Sequence, residues 1–327
     1  MKRREFITLL GSAAAWPVGA QAQPMRRIGV LMGYGERDPE AQSWVFAFRD
    51  GLRKLGWIED RNIEIEVRWA APGEANSIDR GAKELVALRP ELVLSANTPA
   101  TAAMLQQTRT IPLVFAMVAD PVSSGFVASF PRPGGNITGF IAMEPTMAGK
   151  WLELLKEIAP RVGRVAFLFN PLTAPNFEYY LNPFKAAAAS MALEAIAAPV
   201  RDASALETVI AAQASSPNAG LVVMPEAFTT DHRVEITSLA ARYRLPAVYA
   251  FRFSTELGGL ASYGNDVIDN YRRAATYVDR ILRGAKPSEL PVQAPVKFEL
   301  VINLRTAKAL GLEVPFLLQQ RADQVIE

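Results

Sequence analysis

The sequence predicts an α/β fold of two Rossmann-like lobes. From Arg27 onward, short apolar strands alternate with segments whose apolar residues recur at helical spacing, which is typical of a parallel sheet with helical crossovers. The alternation occurs in two successive sets of similar size, and further elements follow the second set. We therefore expect two lobes joined by a multi-strand hinge, with a cleft between them.

The first set of elements forms the first lobe. Its first strand covers residues 28–32, and Trp44, Phe48, Leu52 and Leu55 then fall on one face of a helix. Strands and helices continue to alternate after this helix. They are strands at residues 63–67, 92–95 and 113–116, and helices at about residues 77–88 and 99–107.

The second set begins after Asn136 and forms the second lobe. Its helices are expected at about residues 146–158, 182–191, 204–212 and 230–242, and its strands at residues 165–169, 195–200, 221–224 and 247–249. A return segment adds strands at residues 260–263 and 298–302 and a helix at residues 267–282. We expect lobe 1 to comprise residues 23–139 with about 252–286, and lobe 2 residues 140–251 with about 287–327.

Residues 1–22 have the pattern of an export signal peptide. A short apolar stretch follows the basic positions 2–4, and it is too short to span a bilayer. Ala20 and Ala22 supply the small residues that cleavage requires. The paired arginines resemble a twin-arginine signal, although ordinary Sec signals also contain such pairs. We expect cleavage after Ala22 and a periplasmic location.

The composition excludes several partners and chemistries. Without residues 1–22 the chain has 32 basic and 32 acidic residues, so it lacks the basic surplus that nucleic-acid binding requires. The sequence has one histidine, His232, and no cysteine, which disfavours zinc sites and Ser-His-Asp or Cys-His catalysis. We expect His232 to lie at the surface near a helix start. No P-loop or G-x-G-x-x-G motif occurs. We therefore expect no enzymatic activity, cofactor, metal ion or nucleic-acid partner.

The candidate ligand-binding residues of lobe 1 follow its strands, because open parallel sheets bind ligands at the carboxyl ends of their strands. After the third strand, Thr98 as N-cap and Pro99 as first helical residue would leave the backbone N–H groups of Ala100 and Thr101 free to bind an anion. A capped helix that binds nothing is the alternative. The lobe 1 candidates are Tyr34, Ser95, Asn97, Thr98, Ala100, Thr101 and Asp120.

Asp120 follows the fourth strand at the same sheet edge. Its carboxylate either holds an ammonium group or forms an Asp-Pro turn. An anion site next to this carboxylate would suit a zwitterion. The aromatic residues Tyr34, Phe228 and Tyr263 either enclose a ring-bearing solute or belong to the core. The candidates from the later part of the chain are Asn170, Glu226, Phe228, Tyr263 and Asp266.

Five motifs along the chain are together specific enough to indicate a family. They are Asp120-Pro121-Val122, residues 131–139 (PRPGGNITG), residues 258–264 (GGLASYG), residues 302–311 (INLRTAKALG) and Arg321-Ala322-Asp323. In this order they resemble the ABC transporter substrate-binding protein family, whose members include tryptophan- and phenylalanine-binding receptors. The resemblance covers essentially the whole chain after the signal peptide.

The resemblance implies a type I periplasmic-binding fold whose two lobes are joined by three crossovers. It also implies that the lobes close on a small-molecule solute and present it to an ABC permease in the inner membrane. By the same resemblance, residues 97–101, Asp120 and residues 263–266 line the cleft. An aromatic amino acid is the leading candidate for the solute.

The predicted function is therefore that of the periplasmic solute-binding component of an ABC-type importer. A ligand-sensing periplasmic module of a membrane signalling receptor is the main alternative, because it would use the same cleft with a different partner. An enzyme on the same scaffold has no nucleophile elbow, metal cluster or matched acid and base to support it. A cytoplasmic repressor would need a helix-turn-helix where the signal peptide stands.

Overall fold

The structure is a computed structural model that describes residues 25–70 and 76–327. The expected signal peptide, residues 1–22, lies outside the described residues. Two mainly parallel sheets, each covered by helices, form two lobes. The predicted two-lobed α/β architecture is therefore confirmed.

The first lobe is formed by five strands and three helices from the N-terminal part of the chain. In chain order they are β1 (Arg26–Met32), α1 (Pro39–Lys54), β2 (Ile63–Trp69), α2 (Ser77–Ala87), β3 (Leu92–Ser95), α3 (Thr98–Gln107), β4 (Leu113–Val118) and β5 (Ile137–Ile141). The strands are all parallel, in the order β2-β1-β3-β4-β5. The sequence pattern does not predict β5, because Gly139 interrupts a short apolar run.

The second lobe contains a seven-stranded sheet. Its elements in chain order are α4 (Met147–Ile158), β6 (Arg164–Phe169), α5 (Glu178–Ser190), β7 (Glu194–Pro199), α6 (Leu206–Ala214), β8 (Ala219–Val223), α7 (Ala227–Asp231), α8 (Arg233–Arg242), β9 (Ala247–Tyr249), α9 (Arg252–Glu256) and β10 (Ala261–Asn265). After a helix on lobe 1, α10 (Val267–Leu282), the chain adds β11 (Phe298–Asn303), α11 (Leu304–Ala309), α12 (Phe316–Arg321) and β12 (Gln324–Ile326). The order is β12-β11-β10-β9-β8-β6-β7, and only the β10–β11 pairing of this sheet is antiparallel.

The helix predicted at residues 230–242 is two helices in the structure. The break falls at His232, which is both the C-cap of α7 and the N-cap of α8. Its ring lies partly exposed, 3.4 Å from Glu235 and with its centroid 4.4 Å from that of Phe228. His232 is therefore at a helix start, as predicted from the sequence.

The chain passes between the lobes three times. It first leaves lobe 1 after β5, and it returns after β10 into α10, which packs against α1, β3, β4 and β5. It remains on lobe 1 as far as Gln293, whose backbone N–H donates to the carbonyl of Gly139 at 2.9 Å. It then enters β11, which pairs with β10. These connections form the predicted multi-strand hinge.

The sheets divide the return segment differently from the expected lobe boundaries. The sequence pattern assigned about residues 252–286 to lobe 1 and about residues 287–327 to lobe 2. In the structure, α9 and β10 belong to lobe 2, whereas residues 292–293 bond to lobe 1. The difference arises because a pattern marks where a strand lies and does not identify the strand with which it pairs.

The register between β4 and β5 shifts between Phe115 and Val118. Gly139 lies in this region at a φ of 156°, and a Cβ there would approach the carbonyl oxygen of Phe115 to 2.1 Å, so only glycine fits. The buried side chain of Asn270 in α10 donates from Nδ2 to the carbonyls of Ala116 at 3.2 Å and Ile141 at 3.0 Å. Asn270 therefore joins α10 to both strands next to the hinge.

Within residues 25–70 and 76–327, no helix combines the length and the apolar character needed to cross a membrane.

We expect Asn270→Ala to lower the free energy of unfolding by about 2–3 kcal/mol, because it leaves two buried carbonyls without their donor. Urea denaturation of the ligand-free protein measures the loss. Asn182→Ala is the matched control, since Asn182 is an exposed asparagine on α5. An equal, small effect of both substitutions would contradict the role assigned to Asn270.

Candidate ligand-binding site

A cavity lies between the two lobes at the carboxyl ends of their parallel strands. The empty space between its lining atoms is about 510 Å³, a figure that includes space open to solvent. Lobe 1 contributes residues that follow β1, β3, β4 and β5, and lobe 2 contributes residues that follow β6, β8 and β9. The cavity therefore has the position expected for a ligand site in this class of sheet.

Five of the residues predicted from the sequence line this cavity. They are Tyr34, Asn97, Thr98, Asp120 and Glu226. All five lie in turns or helix starts close behind a strand. The strand-end argument therefore brings together residues from both lobes.

The start of α3 differs from the prediction. Asn97, and not Thr98, is the N-cap, and its Oδ1 accepts the backbone N–H of Ala100 at 3.0 Å. The N–H of Thr101 donates to the carbonyl of Asn97 at 2.9 Å. The prediction that these two N–H groups are free to bind an anion is therefore wrong, because both already have partners within the turn.

Ser95, Ala100 and Thr101 support the cavity wall from behind. All three are fully buried, and the hydroxyl groups of Ser95 and Thr101 are 2.8 Å apart. Asn97 Nδ2 donates to the carbonyl of Gly33 at 3.2 Å, which ties the loop after β3 to the loop after β1. These contacts fix the position of Asn97 and Thr98 at the cavity.

Asp120 forms the Asp-Pro turn that was one of the two roles considered for it. Its Oδ1 accepts the N–H of Ser123 at 3.0 Å, and its carbonyl accepts the hydroxyl of Ser124 at 2.5 Å, so it stabilises an Asp-Pro turn. The residue is nine per cent exposed and lines the cavity. The turn therefore holds a largely buried negative charge beside the ligand space.

Glu226 is the second carboxyl group at the cavity and comes from lobe 2. As the N-cap of α7 it accepts the N–H groups of Phe228 at 2.7 Å and Thr229 at 3.0 Å, and it also accepts the hydroxyl of Thr173 at 2.6 Å. Burial raises the pKa of Glu226 to about 7, although these hydrogen bonds oppose the shift. Glu226 therefore changes charge near neutral pH.

The rest of the lining is mostly apolar. Tyr34 packs edge-on against Trp44 with ring centroids 5.1 Å apart, and burial raises the pKa of its hydroxyl far above the ordinary value. Met117, Met224 and Phe251 add apolar surface. Among the described residues that line the cavity there is no Lys, Arg or His. The cavity thus favours a ligand with both a positive group and an apolar part.

The other predicted residues of lobe 2 and the hinge do not line this cavity. Asn170 is buried and shapes its own loop, because Nδ2 donates to the carbonyl of Arg201 at 3.1 Å and Oδ1 accepts the N–H of Leu172 at 2.8 Å. Phe228 belongs to the apolar core of lobe 2. Both therefore support the site without facing it.

Tyr263 and Asp266 lie next to the hinge. The Tyr263 ring packs near Phe298, with centroids 6.1 Å apart, and lines a separate surface groove. Asp266 caps α10 and pairs with Lys297 at 2.6 Å. Because alternate residues of a strand face opposite sides of a sheet, the position of Tyr263 in β10 does not by itself direct its ring to the cleft.

The sequence argument missed several lining residues. They are Met117, Ser124, Thr173, Asn176, Met224 and Phe251. Asn176 Nδ2 donates to Ser124 Oγ at 2.7 Å, which is a direct hydrogen bond between the lobes. Met117 lies near the end of β4 and Met224 directly follows β8, whereas the others lie two to seven positions beyond a strand end. The strand-end rule would have found Thr173 and Asn176 had it been applied to the whole loop after β6.

A cleft between two α/β lobes, lined by both and crossed by three connections, defines a two-lobed binding protein. The model of the ABC transporter substrate binding protein family matches residues 38–326, and the chain belongs to this family. The family consists of solute-binding proteins, which confirms the expectation that the chain is not an enzyme.

Known proteins with similar sequences or structures agree with this assignment. A crystal structure of an ABC domain from Streptococcus pneumonia in complex with L-Trp has a TM-score of 0.85 and 26% identity, covering 92% of this chain and 100% of that chain. A conserved domain protein from Vibrio cholerae has a TM-score of 0.85 and 27% identity, covering 92% and 99%. A tyrosine-binding protein from Clostridioides difficile is 23% identical, covering 81% of this chain and 76% of that protein. The fold is therefore of the type I periplasmic-binding class.

We expect Glu226 to make the stability of the ligand-free protein depend on pH. Its pKa of about 7 in the folded protein exceeds the ordinary value of 4.5, so the folded state binds more protons. Its contribution to the free energy of unfolding therefore falls as the pH rises from about 4.5 to 7. Urea denaturation at pH 5, 6, 7 and 8 should show a fall in the wild type that is smaller in Glu226→Gln.

Glu153→Gln is the control, because Glu153 is exposed on α4. The free energy of unfolding of Glu153→Gln should differ from that of the wild type by the same amount at every pH between 5 and 8. Parallel pH profiles for the wild type and Glu226→Gln would contradict the assignment of the titration to Glu226.

Proposed function

We propose that this protein captures an amino acid with an aromatic side chain between its lobes and delivers it to an ABC permease in the inner membrane. The observation that carries the proposal is the cavity between the lobes, which combines two carboxyl groups with apolar and aromatic walls. The relatives support it further, since one was crystallised with L-Trp and another is a tyrosine-binding protein.

The ammonium group of the ligand binds at Asp120 in this proposal. The Asp120 carboxylate is largely removed from water, and the lining described here carries no cation to balance it. A ligand ammonium would supply that cation through a charge-assisted hydrogen bond. Glu226 on the opposite lobe adds a second negative group when it is ionised, so closure brings both carboxyls towards the same ligand.

The ligand carboxylate would be held by neutral donors. The Thr98 hydroxyl, which accepts the N–H of Ala119 at 3.5 Å, has its own proton to donate, and Asn176 has a second amide hydrogen beside the one bonded to Ser124. The positive end of the α3 dipole faces the same side. The apolar side chain of the ligand would contact Tyr34, Phe251 and the two methionines. Methionine adapts to rings of different shape, which suits a site for aromatic side chains.

The mechanism is binding without covalent chemistry. In the open state each lobe presents half of the lining to solvent, and the closed state is favoured because only there does the ligand contact both halves. The three hinge connections allow the lobes to move as bodies. The closed lobes then form the surface that a permease would recognise. Residues 1–22 support export to the periplasm, because their sequence has the pattern of a cleaved signal peptide.

We expect isothermal titration calorimetry to detect binding of L-tryptophan, L-tyrosine or L-phenylalanine to protein that has been unfolded and refolded to remove bound solute. Asp120→Asn should weaken this binding by 10- to 100-fold, since a hydrogen bond to a charged group contributes about 1.5–3 kcal/mol. Asparagine can still accept the N–H of Ser123, so the turn is retained.

Asp202→Asn is the matched control, because Asp202 is an exposed aspartate that accepts the N–H of Ala205 at 3.2 Å and does not line the cavity. Its affinity should equal that of the wild type. Binding that is equally strong in Asp120→Asn would refute the ammonium site, and no heat with any amino acid would refute the proposed substrate class.

We expect bacteria lacking this gene to lose high-affinity uptake of the radiolabelled amino acid that binds in calorimetry. The full chain should restore uptake, whereas a chain without residues 2–22 should not, because it would not be exported. Normal uptake in the deletion strain, despite tight binding by the purified protein, would instead indicate a sensor role.

A further inference from the structure

An ion pair outside the cavity lining joins the two lobes. Arg233, the first residue of α8 in lobe 2, donates from Nη1 to Oδ2 of Asp38 at 2.6 Å, and Asp38 is the N-cap of α1 in lobe 1. The two side chains are only 8% and 14% exposed. Each of the other ion pairs described in residues 25–70 and 76–327 for which both exposures are known has at least one partner that is 30% or more exposed, so this pair is the most shielded of them.

Each member of the pair is fixed by its own lobe. Asp38 Oδ1 accepts the N–H groups of Glu40 at 2.9 Å and Ala41 at 3.1 Å, which holds the carboxylate at the start of α1. Arg233 Nη1 also donates to the carbonyl of Thr230 at 2.9 Å, and the guanidinium lies 5.3 Å from the ring centroid of Phe253. Movement of the lobes apart would therefore break the bond between Asp38 and Arg233.

Both sides of the pair are connected to the cavity wall. Thr230 lines the cavity and accepts a hydrogen bond from Arg233. On the other side, Trp44 contacts Tyr34 of the wall at 5.1 Å between ring centroids and approaches Phe253 of lobe 2 at 6.3 Å. The ion pair and its aromatic neighbours therefore bring the two halves of the wall together without themselves touching the ligand space.

We propose that Arg233 is a positioning residue for ligand capture, whose ion pair with Asp38 stabilises the closed arrangement of the lobes and slows ligand release. The proposal rests on the proposed function only in assuming that a ligand binds in the closed cleft. The Asp38–Arg233 ion pair differs from the Ser124–Asn176 hydrogen bond, which lies on the cavity wall where a ligand is able to replace it.

The positive charge of Arg233 stabilises the closed state more than its single hydrogen bond to Asp38 would do alone. In the closed state Arg233 also faces Glu40 of α1, whose pKa is raised by burial and lowered by Arg233. Loss of the guanidinium would leave the Asp38 carboxylate buried between the lobes without a cation, which strongly disfavours closure. In an open state water would solvate Asp38, so the loss acts on the closed state selectively.

The test compares Arg233→Met and Asp38→Asn with the matched control Arg242→Met. Methionine keeps a long apolar stem and removes the charge, and asparagine remains a good N-cap for α1. Arg242 lies on the same helix, and its exposed ion pair with Glu207 is contained within lobe 2. Arg233→Lys keeps the positive charge, so it should retain part of the stabilisation of the closed state that Arg233→Met loses.

The first readout is the distance between the lobes in ligand-free, refolded protein. The sequence has no cysteine, so spin labels on Gln106→Cys in α3 and Lys185→Cys in α5 report one distance by double electron-electron resonance. Arg233→Met and Asp38→Asn should reduce the closed fraction at least tenfold relative to the wild type and Arg242→Met. Equal distance distributions in all four proteins would overturn the proposal, whether or not an amino acid binds.

The second readout is the binding of L-tryptophan and L-tyrosine. The dissociation constant should rise 10- to 100-fold in Arg233→Met and in Asp38→Asn, mainly through faster dissociation, and the double variant should be no weaker than the single variants. A cooperative urea transition in each variant checks that the protein is still folded. Unchanged dissociation rates, or losses that add fully in the double variant, would overturn the proposal. Absence of any binding would instead refute the proposed substrate, and the distance measurement would still decide the role of Arg233.

Discussion

The three passages of the chain between the lobes constrain how the structure moves. Because α10 packs on lobe 1 while β10 and β11 pair with each other in lobe 2, neither lobe is one continuous segment. The buried side chain of Asn270 ties α10 to the ends of both β4 and β5. The connections are therefore the covalent links between the two packed lobes, and any rotation of one lobe against the other would have to take place there.

This connectivity places two sets of strand ends opposite each other, and the cleft between them combines unlike surfaces. The carboxyls of Asp120 and Glu226 are costly to remove from water without a cation, whereas the aromatic and methionine side chains favour an apolar group. Across the cleft, Ser124 bonds to Asn176 and Asp38 to Arg233. In the proposed mechanism, closure therefore forms the contacts with the ligand and the direct contacts between the lobes at the same time.

The residues that the sequence placed correctly at the cavity share one feature. Tyr34, Asp120 and Glu226 stand immediately behind a buried strand, where the position of the strand end decides that of the side chain. The prediction of free N–H groups in the loop after β3 was wrong. Asn97 and Thr98 are both good N-cap residues, and only the turn of the backbone selects Asn97.

By itself the sequence determined the alternation of strands and helices, the two lobes and the polar character of the strand ends, because these depend on local periodicity and on turn residues. Only the tertiary structure decided which strands pair, so β10 joined lobe 2 and Tyr263 turned towards Phe298. It also decided the partners of Asn270, Asn176 and Arg233, whose hydrogen bonds cross between elements distant in the chain. Such contacts depend on how whole lobes pack, and a local sequence pattern does not predict that packing.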